Sequence, residues 1–288
     1  MIFMWMLQVL LYGLLKGTRE IVKKKSLNRN SVMEVLFFYT LFGFLLVCPD
    51  VLVSGVTGVS TRHMGLIAVK SFVIFLAWMF SFKAIKKMPI SLYGILDLSR
   101  VLFAMLLATV VLHETLTTYQ VIGIVLVSLG LLMLKGVPWR KKKSDGEKVA
   151  PSLVMFAFAS CLLNAFSGLL DKILMRDVTS SQLQFWYMLY LVLFYLVYII
   201  IAKTKINMKS ALKNPWIWLL AILFIIADRS LFIANADPAS KISVMTLIKQ
   251  SGCIVTILGG KFIFHEKNIR YKLLCATVII AGIVIAVL

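Results

Sequence analysis

The sequence predicts an all-α integral membrane protein of ten transmembrane helices, arranged as two inverted five-helix repeats. Three observations predict it. The chain is 61% hydrophobic and 15% charged, with a mean hydropathy of +0.95, more apolar surface than a soluble fold of this length can cover. Its apolar runs come near the roughly 20 residues that cross a bilayer, and ten of them fit. One passage also occurs twice. Pro89 leads through Asp97 and Arg100 to His113-Glu114 and an apolar run to Leu134, and Pro238 leads through Lys249 to His265-Glu266 and a run to Leu288. The two His-Glu pairs stand 152 residues apart, and at that offset Ser99 falls on Ser251 and Asp97 on Lys249.

The spans follow in order. The first runs from Ile2 to Gly17. It has no basic stretch before it and no small-residue cleavage pattern after it, so it reads as a retained span rather than a signal peptide. The second runs from Val32 to Cys48, the third from Met64 to Phe82, the fourth from Ile90 to Leu112 and the fifth from Thr118 to Leu134. The sixth runs from Ser152 to Leu174, the seventh from Leu183 to Ala202 and the eighth from Pro215 to Ala234. The ninth runs from Ile242 to Phe264 and the tenth from Tyr271 to Leu288. The most hydrophilic link, 136–150, divides a first repeat (1–135) from a second (151–288). Further matches support the division. Ser31-x-x-Glu34 before Phe38-Tyr39-x-x-Phe42 answers Thr179-x-x-Gln182 before Trp186-Tyr187-x-x-Tyr190, and Ser81 to Pro89 has the spacing of Ser230 to Pro238.

Lysine and arginine set the orientation. With the amino terminus outside, inner loops and helix ends hold 23 of the 31 basic residues and the outer side holds Arg62, Lys172, Arg176 and Lys241. Both termini are therefore expected to be extracytoplasmic. Five spans per repeat is an odd number, so the second repeat enters the membrane in the opposite sense, the plan of many secondary transporters. The net charge of +19 does not signal nucleic acid, because the charges lie between spans, where they orient the chain and meet anionic lipid headgroups. Cys48, Cys161, Cys253 and Cys275 lie in apolar segments without disulfide or zinc spacing and read as small buried hydrophobes.

The remaining bases, Lys70, Arg100, Arg229 and Lys249, lie within spans, with Asp97 and Asp228. Asp171 sits nearer the outer end of the sixth span. A charge facing lipid at the bilayer centre costs about 3 kcal/mol or more, so these residues are expected to face a protein interior, a partner charge or water. They occupy the third, fourth, eighth and ninth spans, with Lys16 and Asp171 at the ends of the first and sixth. Those six spans are expected to line a polar cavity. The fifth and tenth, built on Gly123, Gly130, Ala281 and Gly282, are expected to pack outside it. Asp97 and Arg100 share one helix face with Tyr93. Asp228 and Arg229 are adjacent, point about 100° apart and are expected to pair across helices.

Two readings of these charges compete. They are ion pairs that fix packing, Asp97 with Lys249 for example, or they are a binding surface. Four bases against two acids leave positive charge over, which a sealed core does not tolerate and an anionic ligand balances. Asn164 either meets a ligand or bonds a neighbouring helix. His113-Glu114 and His265-Glu266 read as turn and cap residues. There is no nucleotide-binding loop, no nucleophile–base set and no metal-ligand spacing, so no cofactor is expected.

Lys87-Met88-Pro89, Glu114 and Gln120-x-x-Gly123 through Gly130 in the first half, with Pro238, Glu266 and Ala281-Gly282 in the second, resemble the drug/metabolite transporter superfamily in its EamA-type ten-helix form. The resemblance implies two inverted repeats, a central cavity and alternating access without ATP. There are two departures. A proline usual in the fourth helix is replaced near Ser99-Arg100. The first span lacks the embedded carboxylate of small multidrug exporters and ends with Lys16, which argues against export of cationic drugs. The expected function is secondary transport, in the cell membrane, of a small anionic or zwitterionic metabolite. The expected binding residues are Lys70, Tyr93, Asp97, Arg100, Asn164, Asp228, Arg229 and Lys249, with a proton as candidate coupling ion. The alternatives are a flippase for a lipid-linked phosphate or sugar and, from another class, a membrane enzyme.

Overall fold

A computed structural model of the protein describes residues 2–49, 55–112, 117–133, 149–175, 177–236 and 248–287. His113-Glu114, Arg176, Lys241, Pro238 and nearly all of the 136–150 link lie outside them. Among the described residues every regular element is helical: α1 Ile2–Leu27, α2 Val32–Val47, α3 Thr61–Lys87, α4 Ile90–Asp97, α5 Arg100–Leu112, α6 Thr118–Met133, α7 Pro151–Leu174, α8 Ser180–Ile201, α9 Met208–Leu212, α10 Pro215–Ala236, α11 Ser251–Phe262 and α12 Ile269–Val287.

The helix starts are written locally. Ser31 and Glu34 form a reciprocal capping box at the head of α2, and Thr179 and Gln182 form the same box at the head of α8. Each satisfies two amide donors that a helix start leaves open. The pattern that recurs in the sequence is thus the same helix-starting device used twice.

Four helical stretches are long and apolar enough to cross a membrane: Thr61–Lys87, Ile90–Leu107, Pro151–Asp171 and Ser180–Ile201. Val32–Val47, Thr118–Met133 and Ser251–Phe262 are shorter apolar helices. Leu7, Leu10, Leu11 and Leu14 on α1, and Val121, Ile122, Val125, Leu129 and Leu132 on α6, stand exposed. Such a band needs lipid to cover it. The chain is a multi-pass membrane protein.

Two expected spans are corrected. The first does not stop at Gly17. α1 continues to Leu27 and carries Lys16, Arg19, Glu20 and Lys23 inside the helix. Lys, Arg and Glu are good helix formers, and no proline or further glycine intervenes before Asn28. Hydropathy therefore marks where the apolar run ends, not where the helix ends. The fourth span is interrupted: α4 ends at Asp97 and α5 begins at Arg100. There the bonds tighten to a three-residue step, Leu98 N–H to Ile95 O at 3.1 Å and Ser99 N–H to Leu96 O at 3.0 Å. The break survives without a proline.

The packing pairs α1 with α10, α3 with α7, α4 with α11 and α6 with α12, and α2 lies against α8 and α10. α6 and α12 meet through glycine: a Cβ at Gly282 would lie 2.9 Å from Gly123 O, and one at Gly130 would lie 3.3 Å from Cys275 O. α6 is uncharged, and α12 carries Arg270 and the buried Lys272 only in its first turn.

Candidate functional site

α1 is the spine of the polar interior. Lys16, Arg19, Glu20 and Lys23 follow three- and four-residue steps and present one charged face. Lys16 Nζ lies 2.7 Å from Asp97 Oδ2 on α4, and Arg19 Nη1 lies 3.7 Å from Asp228 Oδ1 on α10. Lys23 donates to both Glu20 oxygens at 2.7 and 2.8 Å and sits 4.7 Å over the Phe82 ring. The Arg19 guanidinium lies 4.7 Å over Phe224. This face was not read from the sequence as part of the site, because these residues count there as loop and helix-end charges. Their helical spacing was the available signal. Glu20 is a carboxylate on the same helix, beyond the expected end of the first span.

Asp97 closes α4 and is 8% exposed. It accepts from Lys16 and, at 2.8 Å, from Arg100 Nη2 at the head of α5. The suggested pairing of Asp97 with Lys249 is therefore corrected. Lys16 reaches Asp97 because α1 is long enough to bring it alongside α4. Lys249 instead lies 5.9 Å from the Tyr12 ring. Tyr93, a turn before Asp97, is buried and shares a 2.8 Å hydrogen bond with the Ser81 hydroxyl.

The other expected residues are held by other contacts. Lys70 is buried, 3.2 Å from Asp171 Oδ1 on α7 and 3.9 Å over the Tyr187 ring on α8. Asp228 pairs across helices with Arg19, not with its neighbour Arg229, which is half-buried on α10. Asn164 bonds its own helix, Nδ2 donating to Ser160 O at 2.8 Å and to Ser160 Oγ at 3.2 Å.

A small pocket with room for about one water molecule lies in this region. α1 lends it Lys16, Gly17 and Glu20, the end of α4 lends Tyr93, Gly94 and Asp97, and the chain around α11 lends Gln250, Gly252 and Cys253. Its floor is tight. A Cβ at Gly252 would lie 2.6 Å from Gly13 O, and the open faces of Gly94 and Gly259 are taken up by Thr256 and Ile21.

Below the floor Glu266 ties α4 to the chain after α11. Its carboxylate accepts from Ile90 N–H at 2.5 Å, from Ser91 N–H at 3.2 Å, from the Ser91 hydroxyl and from Lys272 Nζ at 3.1 Å. Lys272 also donates to Ser91 Oγ at 2.6 Å. The cap expected of His265-Glu266 is present, but Glu266 caps a helix 175 residues away in sequence rather than its own. The four cysteines are free, with Cys161, Cys253 and Cys275 buried and Cys48 half-buried.

Residues 3–135 match the EamA-like transporter family. The match bears out the resemblance to the drug/metabolite transporter superfamily, and the family is one of membrane transporters. A crystal structure of another protein aligns over 98% of this chain and 96% of its own, with a TM-score of 0.66 at 15% identity; at that identity the likeness is one of fold. No curated protein matches the sequence.

Proposed function

We propose that this EamA-like protein is a secondary transporter, working without ATP, that carries a small anionic or zwitterionic metabolite by alternating access through its charged interior. The observation that carries the reading is the charge balance inside the helices. Lys16, Arg19, Lys23, Lys70, Arg100 and Lys249 lie in these helices with Glu20, Asp97, Asp171 and Asp228. Six bases stand against four acids. A low-dielectric interior holds such an excess only with a counter-anion or water. The same excess argues against a cationic cargo, now that α1 contains Glu20.

The architecture of the proposal is ten spans in two inverted repeats, 1–135 and 151–288, joined by the basic 136–150 link on the cytoplasmic side of the plasma membrane, with both termini outside. The packing supports it. Exchanging each span with the one five places on turns the α1–α10 pair into the α7–α3 pair and the α3–α8 pair into the α10–α2 pair, and all four are present. The pairs α2–α8, α4–α11 and α6–α12 map onto themselves. The family match also ends at residue 135, where the composition changes. The site then lies between the repeats, near mid-membrane. Empty, its bases rest on Asp97 and Asp228, and those carboxylates are the candidates to carry a coupling proton.

The test is counterflow in proteoliposomes with candidate carboxylates, phosphates and zwitterions, comparing wild type with Arg100→Ala and Lys249→Ala. Anion exchange that fails in both variants is the expected result. Normal exchange in both overturns the site.

A further inference from the structure

The link between α8 and α10 carries four lysines and no acid. Lys203, Lys205, Lys209 and Lys213 are all exposed, and no Asp or Glu occurs between Asp177 and Asp228. Lys209 and Lys213 stand one turn apart, so they repel, and no acid of the link offsets them. Lys203 also occupies a position that does not suit a lysine. Its φ is +47° just beyond α8, and Thr204 N–H donates back to Ile199 O at 3.1 Å. That is a helix-ending turn in which the left-handed position favours glycine. The corresponding link of the first half, between α2 and α3, has one acid and no base. The lysines are therefore no part of the repeat.

α9, in the middle of this link, has three sides. The first is clamped to the protein. Asn207, its N-cap, donates its backbone N–H to Glu34 at 2.9 Å, and the Ser210 hydroxyl accepts from Asn30 at 3.1 Å. Ala211 is buried, and Asn214 Nδ2 donates to Asn30 Oδ1 at 2.7 Å. At about 100° per residue these four positions share one face. The second side is apolar and uncovered, with Met208 60% and Leu212 46% exposed. The third carries Lys209 and Lys213. The helix lies where two lipid-facing helices end. α8 closes with Val197, Ile200 and Ile201 exposed, and α10 opens with Trp218, Leu219 and Ile222 exposed. Trp218 Nε1 donates to Leu212 O at 3.1 Å, and its ring stacks on Phe42 at 3.6 Å. Indoles favour the headgroup level of a bilayer. At that level an amphipathic helix lies in the membrane plane, its apolar side toward the acyl chains and its lysines toward the phosphates.

We propose that the 203–213 link is a seat for an anionic phospholipid, with Lys209 and Lys213 on its phosphate, Lys203 and Lys205 adding charge, and Met208 and Leu212 against its acyl chains. A soluble anion would answer the lysines and leave Met208 and Leu212 uncovered; a lipid answers both sides. The seat is narrower than the attraction of any basic loop for a membrane, because the clamped side fixes where the other two face. A lipid that holds α9 also steadies the Asn207–Glu34 bond, which ties this link to the head of α2. The seat does not depend on what the protein carries.

The test places the full-length protein in phosphatidylcholine nanodiscs that contain a minor fraction of phosphatidylglycerol with brominated acyl chains. Bromine quenches nearby tryptophan, and Trp218 adjoins α9. Quenching is compared with that from the same fraction of brominated phosphatidylcholine, which gives the preference for the anionic lipid. Wild type is set against Lys205→Gln/Lys209→Gln/Lys213→Gln. The charge control is Lys261→Gln/Lys267→Gln/Arg270→Gln, three exposed bases around the link from α11 to α12. A lysine near an anionic surface is worth about fivefold in affinity. The link variant is therefore expected to lose at least about tenfold of the preference, while the control stays within about twofold of wild type. Trp218→Phe is expected to abolish the difference in quenching between the two lipids. Those three results together uphold the seat. A preference that survives the link variant, falls equally in the control or persists in Trp218→Phe overturns it. Displacement of the brominated lipid by millimolar glycerol phosphate also overturns it, since the site would then serve a soluble anion.

Discussion

Glu266→Gln tests how much of the fold hangs on one carboxylate. The Glu266 and Lys272 side chains are 9% and 5% exposed, so water screens their pairing little. The carboxylate accepts two amides, a hydroxyl and the ammonium. Glutamine keeps the shape, but it removes the charge and turns one acceptor into a donor aimed at groups that also donate. Lys272 is left as a buried cation. Breaking a buried pair from one side costs about 3–5 kcal/mol. At about 2–3 °C per kcal/mol for a chain of this size, the melting temperature in detergent should fall by about 10 °C. The double variant Glu266→Gln/Lys272→Met removes the stranded charge and should recover more than half of that loss. A Glu266→Gln protein that melts within about 2 °C of wild type, or a double variant no better than the single, refutes the account of Glu266 as the clasp between α4 and the chain after α11.

Gly252→Ala should destabilise by about 2–3 kcal/mol, because its Cβ would meet the backbone oxygen of Gly13 at 2.6 Å. Gly259→Ala meets Cδ1 and Cγ1 of the Ile21 side chain rather than backbone and should cost less than Gly252→Ala; chemical denaturation of both variants checks the order, and an equal loss would contradict it. Asp97→Asn removes the carboxylate between Lys16 and Arg100, so on the anionic reading it should bind inorganic phosphate at least as tightly as wild type while slowing counterflow more than tenfold; weaker phosphate binding would show that Asp97 positions the bases rather than competing for them. Maleimide should label Cys48 in the folded protein and reach Cys161, Cys253 and Cys275 only after unfolding, as mass spectrometry after timed labelling would report. Fast native labelling of Cys253 would place the α1–α11 seam in solvent.

Composition and spacing alone determined that this chain is helical and crosses a membrane. Apolar runs near bilayer length leave little else, and the capping pairs Ser31–Glu34 and Thr179–Gln182 act within four residues, so the sequence states them outright. The charged face of α1 was legible in its spacing but hidden by hydropathy, which reads Lys16 through Lys23 as the start of a loop. Asp97 with Arg100 was visible because i, i+3 partners need only a helix. That Lys16 joins them, that Arg19 meets Asp228 and that Glu266 caps a helix 175 residues away are decisions of packing, since each depends on which helices lie side by side. The sequence set Ser99 opposite Ser251 by counting. Only the tertiary structure set both near the antiparallel crossing of α4 and α11, because a crossing belongs to two helices and no single segment contains it.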